Sequence, residues 1–185
     1  MLESNEVTKI DFFSPEECNQ VKKYIDSKTF NTTKYFDKYN FFNDNPQYVD
    51  KFVLKLKDVF PYLDFPIAVQ AWVNSYEKGQ GIKPHNHHGL TGYSFACNIF
   101  ISGNTQPGIT YMEPGWEQTV ENKIGELQLF NCGLFHTVVN VHDEKRYTVG
   151  ITIHTRESIT KELLYGACIN SEYREIVLMS DMINI

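Results

Sequence analysis

From residue 67 to residue 154 the apolar positions of this 185-residue chain abandon a helical period and recur at every second residue. The runs 67–76, 91–101, 108–113, 124–130, 134–141 and 146–154 are rich in Val, Ile, Phe and Tyr and are punctuated by Gly, Pro and Asn. That pattern predicts short antiparallel strands. Upstream the period is helical. Ser14-Pro15-Glu16-Glu17 has a hydroxyl at the N-cap, Pro at the first helical position and acids in the first turn, which predicts a helix to about Ser27. A second helix is expected from about Pro46, with Phe52, Leu56, Val59 and Phe60 on one apolar face and Pro61 as its stop. The chain therefore reads as one domain, 1–185. Residues 1–62 form a helical layer, 67–154 an antiparallel β core, and 157–185 a C-terminal extension whose short apolar runs are too brief to assign.

The charge balance limits the partners. Lys and Arg number 17 against 23 Asp and Glu, a formal charge of −6. A surface that tracks phosphates is usually basic, so nucleic-acid binding is not expected as the main role. No apolar stretch approaches the roughly 20 residues that span a bilayer, and the acidic N-terminus lacks the basic and then apolar signature of a leader. Cys18, Cys97, Cys132 and Cys168 form no Cys-x-x-Cys pair and read as buried thiols of a reducing compartment. A cytoplasmic protein is expected.

Chemistry concentrates in Lys83-Pro84-His85-Asn86-His87-His88-Gly89. Pro84 and Gly89 argue against a helix, and in an extended chain residues two apart share a face about 6.8 Å apart. Two imidazoles at that spacing converge on one ion at about 2.1 Å per bond, so His85 and His87 can chelate while His88 points away. Read alone, the run fits a polar loop equally well. A third ligand must come from elsewhere. His136 sits within the apolar run Gly133–Val139, where a lone imidazole is more often a satisfied core residue than a ligand. The segment from His136 to His154 reads as a β-hairpin turning near Asp143-Glu144-Lys145. With an odd loop such as 141–145, His136 lies opposite Gly150 and shares a face with Arg146 about 13 Å away. A small dicarboxylate spans such a gap, one end on a metal and the other on the guanidinium fork. Without the histidines, Arg146 would read as a solvated charge at a hairpin end. In the strand 67–76, Trp72, Asn74 and Tyr76 share one face and are expected to line the same interior. There an amide and a phenol can donate to carboxylate oxygens or satisfy each other.

In their order and spacing these pieces resemble the Fe(II)- and 2-oxoglutarate-dependent oxygenases, in particular the prolyl-hydroxylase-like branch and its DNA-alkylation-repair relatives. Asn74-Ser75-Tyr76, Gly79, His85 and His87 look like that group's Asn-x-Tyr-x-x-Gly-x(5)-His-x-Asp pattern. Gly125–Phe130, His136 and Arg146-Tyr147-Thr148 look like its distal half. The resemblance covers residues 67 to 154, and 10–17 is similar to the usual leading helix. It implies a mainly β fold with N-terminal helices around a double-stranded β-helix, a jelly-roll of two antiparallel sheets. It further implies Fe(II) on His85, His87 and His136, with Arg146 on the far carboxylate of 2-oxoglutarate. Asn74, Tyr76 and Thr148 would assist, and O2 would be used to hydroxylate a C–H bond with release of succinate and CO2. The departure is His87, which stands where the group has an aspartate. Nearby Glu113 is a candidate replacement, although nothing in its spacing demands it. Two other readings stay open: a three-His metal dioxygenase of cupin type that does not use 2-oxoglutarate, and a catalytically silent jelly-roll that binds a partner. Nothing in 30–45 or 102–108 identifies the prime substrate.

Overall fold

Ser14 and Glu17 start the first helix by satisfying each other's end of the chain. Ser14 Oγ accepts from Glu17 N at 3.2 Å, and Glu17 Oε2 accepts from Ser14 N at 2.7 Å. In this computed structural model, which describes residues 4–27, 40–63, 66–87, 94–155 and 177–179, helix α1 runs Pro15–Ser27. Its buried face is Cys18, Val21 and Ile25. A short helix α2 (Phe41–Asp44) is capped by the Asn40 side chain, and a 3-10 turn over Pro46–Tyr48 leads into α3 (Val49–Val59). Lys51 on α3 holds Glu17 at 2.7 Å, which ties the two longer helices together.

The β core comprises β1 (Val7–Asp11), β2 (Ile67–Tyr76), β3 (Gly81–His85), β4 (Ser94–Ser102), β5 (Ile109–Glu113), β6 (Trp116–Val120), β7 (Glu126–Asn131), β8 (Phe135–Val139), β9 (Arg146–His154) and β10 (Val177–Met179). They form a six-stranded sheet in the order β1-β7-β4-β9-β2-β10 and a four-stranded sheet in the order β3-β8-β5-β6. Every pairing among the described strands is antiparallel. The expected double-stranded β-helix with N-terminal helices is therefore the observed fold. Two strands extend it beyond the expected layering: β1, from the helical layer, lies at one edge of the large sheet, and β10, from the C-terminal extension, lies at the other.

The layers follow from alternation. Tyr147, Val149, Ile151 and Ile153 of β9 join Val69, Ala71 and Val73 of β2 in one apolar cluster with Val21, Ile25, Phe52 and Leu56 of the helices. The opposite faces of β2 and β9 are polar and look towards the small sheet. All nine residues of β9 are buried, as expected of a strand covered on both sides.

One expectation is overturned. The segment 136–154 is not a hairpin: β8 pairs with β3 and β5 in the small sheet, whereas β9 pairs with β2 and β4 in the large one. The chain crosses between sheets over residues 140–145. Asn140 is built into that crossing, its Nδ2 donating to Tyr76 O and to Glu144 O, both at 2.9 Å. The partner of Gly150 is thus Trp72 on one side and Asn98 on the other, never His136.

Candidate metal centre

His136 faces His85 directly across the β3–β8 pair and Tyr111 across β5–β8. Ile82 and His85 are three residues apart and would lie on opposite faces of a regular strand. The register slips by one residue between them, at Lys83 and Pro84, where Pro has no N–H to give the ladder. The bulge turns Ile82, His85 and, two residues on, His87 towards the same interior. His87 is held at the end of the strand by its own N–H donating to Cys132 O at 2.9 Å.

One ring nitrogen from each of His85, His87 and His136 lies within 4.8 Å of the other two, so the three together could hold a metal ion. Ring centroids are 5.3 Å apart for His85 and His87, 4.3 Å for His85 and His136, and 5.2 Å for His87 and His136. The other nitrogens are already engaged. His85 Nδ1 is 3.0 Å from Lys83 O and His136 Nδ1 is 3.2 Å from Leu134 O. A carbonyl only accepts, so each Nδ1 carries the proton and each Nε2 keeps its lone pair. His87 Nδ1 meets the Thr152 hydroxyl at 3.1 Å. Burial, and then the neighbouring His85, pull the pKa of His136 down to about 4, which keeps it neutral and ready to ligate at pH 7. Three neutral nitrogens suit iron, cobalt, nickel, copper or zinc rather than calcium or magnesium. Among the described residues no carboxylate joins the group. Glu113 instead borders an outer hollow with Met112, Trp116 and Phe135. His88 lies outside the described residues.

A cavity of about 30 Å³ adjoins the three rings, and Trp72, Asn74 and Tyr76 line it as expected from their shared face on β2. Asn74 Nδ2 donates to Thr148 Oγ1 at 3.1 Å across the β2–β9 pair. Arg146, the register partner of Tyr76, lies beyond that cavity and is only 2 % exposed. Its Nη2 donates to Asn122 Oδ1 at 3.1 Å and its guanidinium carbon sits 4.9 Å from the centre of the Phe100 ring. Its Nε has no acceptor, and no acid pairs with it among the described residues. Burial lowers its pKa to about 10, against the pull of Tyr76 and Tyr111, so it stays charged at pH 7. A buried cation that no described acid pairs with is costly, and an acidic group at this end of the interior would offset that cost.

Three interior residues escape the sequence reading. Asn122 orients Arg146 and is fixed by its own bond to Thr105 O at 3.1 Å. Tyr111, fully buried with its pKa pushed up by that burial, donates to Gln128 Oε1 at 2.9 Å. Asn98 lines the cavity with its Oδ1 buried and lacking a donor among the described residues. The run 108–113 is legible as a strand, but its inward face is not, and Asn122 stands outside any strand.

No protein-family model matches the chain, and no curated protein matches it. Solved structures do match in fold. The prolyl-4-hydroxylase of Pseudomonas putida aligns at a TM-score of 0.60 and 16 % identity, over 81 % of this chain and 92 % of that one. The viral collagen prolyl hydroxylase of Paramecium Bursaria Chlorella virus-1, solved as a 2-oxoglutarate complex, aligns at 0.61 and 15 %, over 80 % and 95 %. HygX of Streptomyces hygroscopicus with iron bound aligns at 0.62 and 11 %, over 83 % of each chain. The jelly-roll of this chain is the fold of those proteins.

Proposed function

We propose that this protein is an Fe(II)- and 2-oxoglutarate-dependent oxygenase, a hydroxylase that releases succinate and CO2. His85, His87 and His136 would hold the iron, Arg146 would bind the far carboxylate of 2-oxoglutarate, and Asn74, Tyr76 and Thr148 would steady the cosubstrate between them. The observation that carries this reading is the pairing of a three-nitrogen cluster on the small sheet with a buried guanidinium on the large one that no acid among the described residues pairs with. Likeness in fold to a prolyl hydroxylase solved with 2-oxoglutarate, and to a protein solved with iron, supports it.

Bound iron would supply O2 activation coupled to oxidative decarboxylation of the 2-oxoacid. The chain's own residues do the rest. The Lys83 and Leu134 carbonyls hold two imidazoles in one tautomer, and the Thr152 hydroxyl steadies the third. Asn122 and Phe100 fix the guanidinium plane, leaving Nε to meet a carboxylate oxygen. Phe130, 4.8 Å from His136 between ring centres, and Ile109 keep water from the back of the cluster. With no protein carboxylate among the ligands, the cosubstrate's own charge would balance the metal. Buried free thiols at Cys18, Cys97 and Cys132 fit a cytoplasmic setting, and no described helix is long and apolar enough to cross a membrane.

The carboxylate-free ligand set also favours a second reading, a three-His dioxygenase that needs no 2-oxoglutarate. Oxygen uptake and succinate, measured together on the Fe(II)-loaded protein, separate the two. Succinate formed in step with O2, and reduced about 100-fold or more in Arg146→Ala, is the expected result. Oxygen uptake without succinate would establish the second reading instead.

A further inference from the structure

Gly150 has no room for a side chain. A Cβ there would stand 2.6–2.8 Å from three atoms of the Trp72 indole, its register partner on β2. The absence of that Cβ lets the indole lie flat across β9 and reach the interior, 5.9 Å from the His87 ring between centroids. Trp72 is 5 % exposed. It lines the same cavity as the three histidines, with Ile109 and Phe130, and that cavity of about 30 Å³ has room for on the order of two water molecules. An indole that offered a stacking platform to a ring would have to show its face. This one is covered by the Gly150 backbone and by His87, so it acts as a wall.

We propose that Trp72, admitted by Gly150, is the size filter of the metal cavity, and that the group oxidised there is slender: an unbranched alkyl or methyl group, not an aromatic ring or nucleobase. The inference rests on the oxygenase reading, because it takes the Trp72 and His87 end of the cavity as the place where the substrate meets the metal and leaves the Asn74 and Tyr76 end, towards Arg146, to the cosubstrate. Asn98, on the neighbouring strand, gives the same cavity a buried acceptor for an N–H or O–H close to the reacting carbon.

Cobalt(II) tests this without turnover, since its visible spectrum reports each ligand that joins the metal. Azide and 4-phenylimidazole are titrated into the cobalt-loaded wild type, Trp72→Leu and Trp72→Phe, with circular dichroism as the check on folding. In Trp72→Leu the affinity for 4-phenylimidazole relative to azide is expected to rise about tenfold or more, with a smaller rise in Trp72→Phe. Cobalt should also quench the wild-type indole fluorescence, and this quenching should vanish in Trp72→Phe, where Trp116 is the remaining tryptophan. An unchanged ligand ratio in both folded variants, or undiminished quenching in Trp72→Phe, would overturn the filter while leaving the oxygenase reading in place. A wild type that shows no cobalt spectrum at all would overturn both.

Discussion

His136 differs from the other two histidines in being the one that solvent scarcely reaches, and its acid–base behaviour follows. Its pKa is held near 4, and that of His154, buried on the same face of the neighbouring sheet, is also lowered by burial to about 4. At pH 7 both are neutral whether the chain is folded or not. As pH falls through 6.5 the unfolded chain takes up a proton at each, and the folded chain does not until near pH 4. Stability is therefore whole above about 6.5 and is lost between 6.5 and 4, by up to about 3 kcal/mol for each histidine. Urea midpoints of the metal-free protein across that range should fall, and His154→Gln should flatten part of the slope. A midpoint that stays level to pH 4.5 would show that these rings are not buried as described. The Thr152 hydroxyl bears on the metal only through His87. Thr152→Val should weaken cobalt binding by about tenfold while leaving the fold intact, the usual effect of losing a partner behind a ligand. At this scale the sequence was generous. The convergence of His85 and His87 was legible from their spacing, and His136 and Arg146 joined them only through the resemblance, whereas Asn98, Asn122 and Tyr111 were not legible, because a lone amide or phenol carries no periodic signal.

At the scale of elements, β2 and β9 run over the residues that alternation marked, 67–76 and 146–154, since both are long and apolar on one face. The pairing was another matter. Period-two alternation fixes which face a side chain takes and says nothing about its neighbour strand, so β8 and β9 looked like a hairpin although they belong to different sheets. Arg146 still faces inward, because its face on β9 was right even though its partner was wrong. The bulge at Lys83 and Pro84 was likewise invisible to alternation, although Pro84 is a signal for one. The crossing from β8 to β9 depends on Asn140, which is 4 % exposed and gives two side-chain bonds to backbone carbonyls. Asn140→Ala leaves Tyr76 O and Glu144 O without those donors and should cost about 2 kcal/mol by chemical denaturation. The exposed Lys78–Asp143 pair beside it should contribute less than about 1 kcal/mol, so Asp143→Asn serves as the control. Equal losses in the two variants would mean that the crossing is held by charge and not by Asn140.

Across the whole molecule, the proposed metal ligands and the proposed acid-binding group lie on opposite sheets. His85 and His136 belong to the small sheet, with His87 just past its edge strand, and Arg146 belongs to the large one. A metal ion alone therefore ties strands of one sheet together, whereas a dicarboxylate that reaches from the metal to the guanidinium ties the sheets to each other. Any ligand that binds only the folded chain raises its stability by RT ln(1 + [L]/Kd), about 2.7 kcal/mol at a hundred times Kd. Two separate increments in melting temperature are thus expected under anaerobic conditions. The first comes with Mn(II) or Co(II), and the second with 2-oxoglutarate added to the metal-loaded protein. Arg146→Ala should keep the first and lose the second, because its imidazoles are untouched. Succinate, shorter by one carbon and without the keto oxygen, should give a smaller second increment than 2-oxoglutarate, since it offers the metal one donor instead of two. If 2-oxoglutarate stabilised the metal-free protein as much as the metal-loaded one, the acid would be held by Arg146 alone, and the two sheets would not share a ligand through the metal.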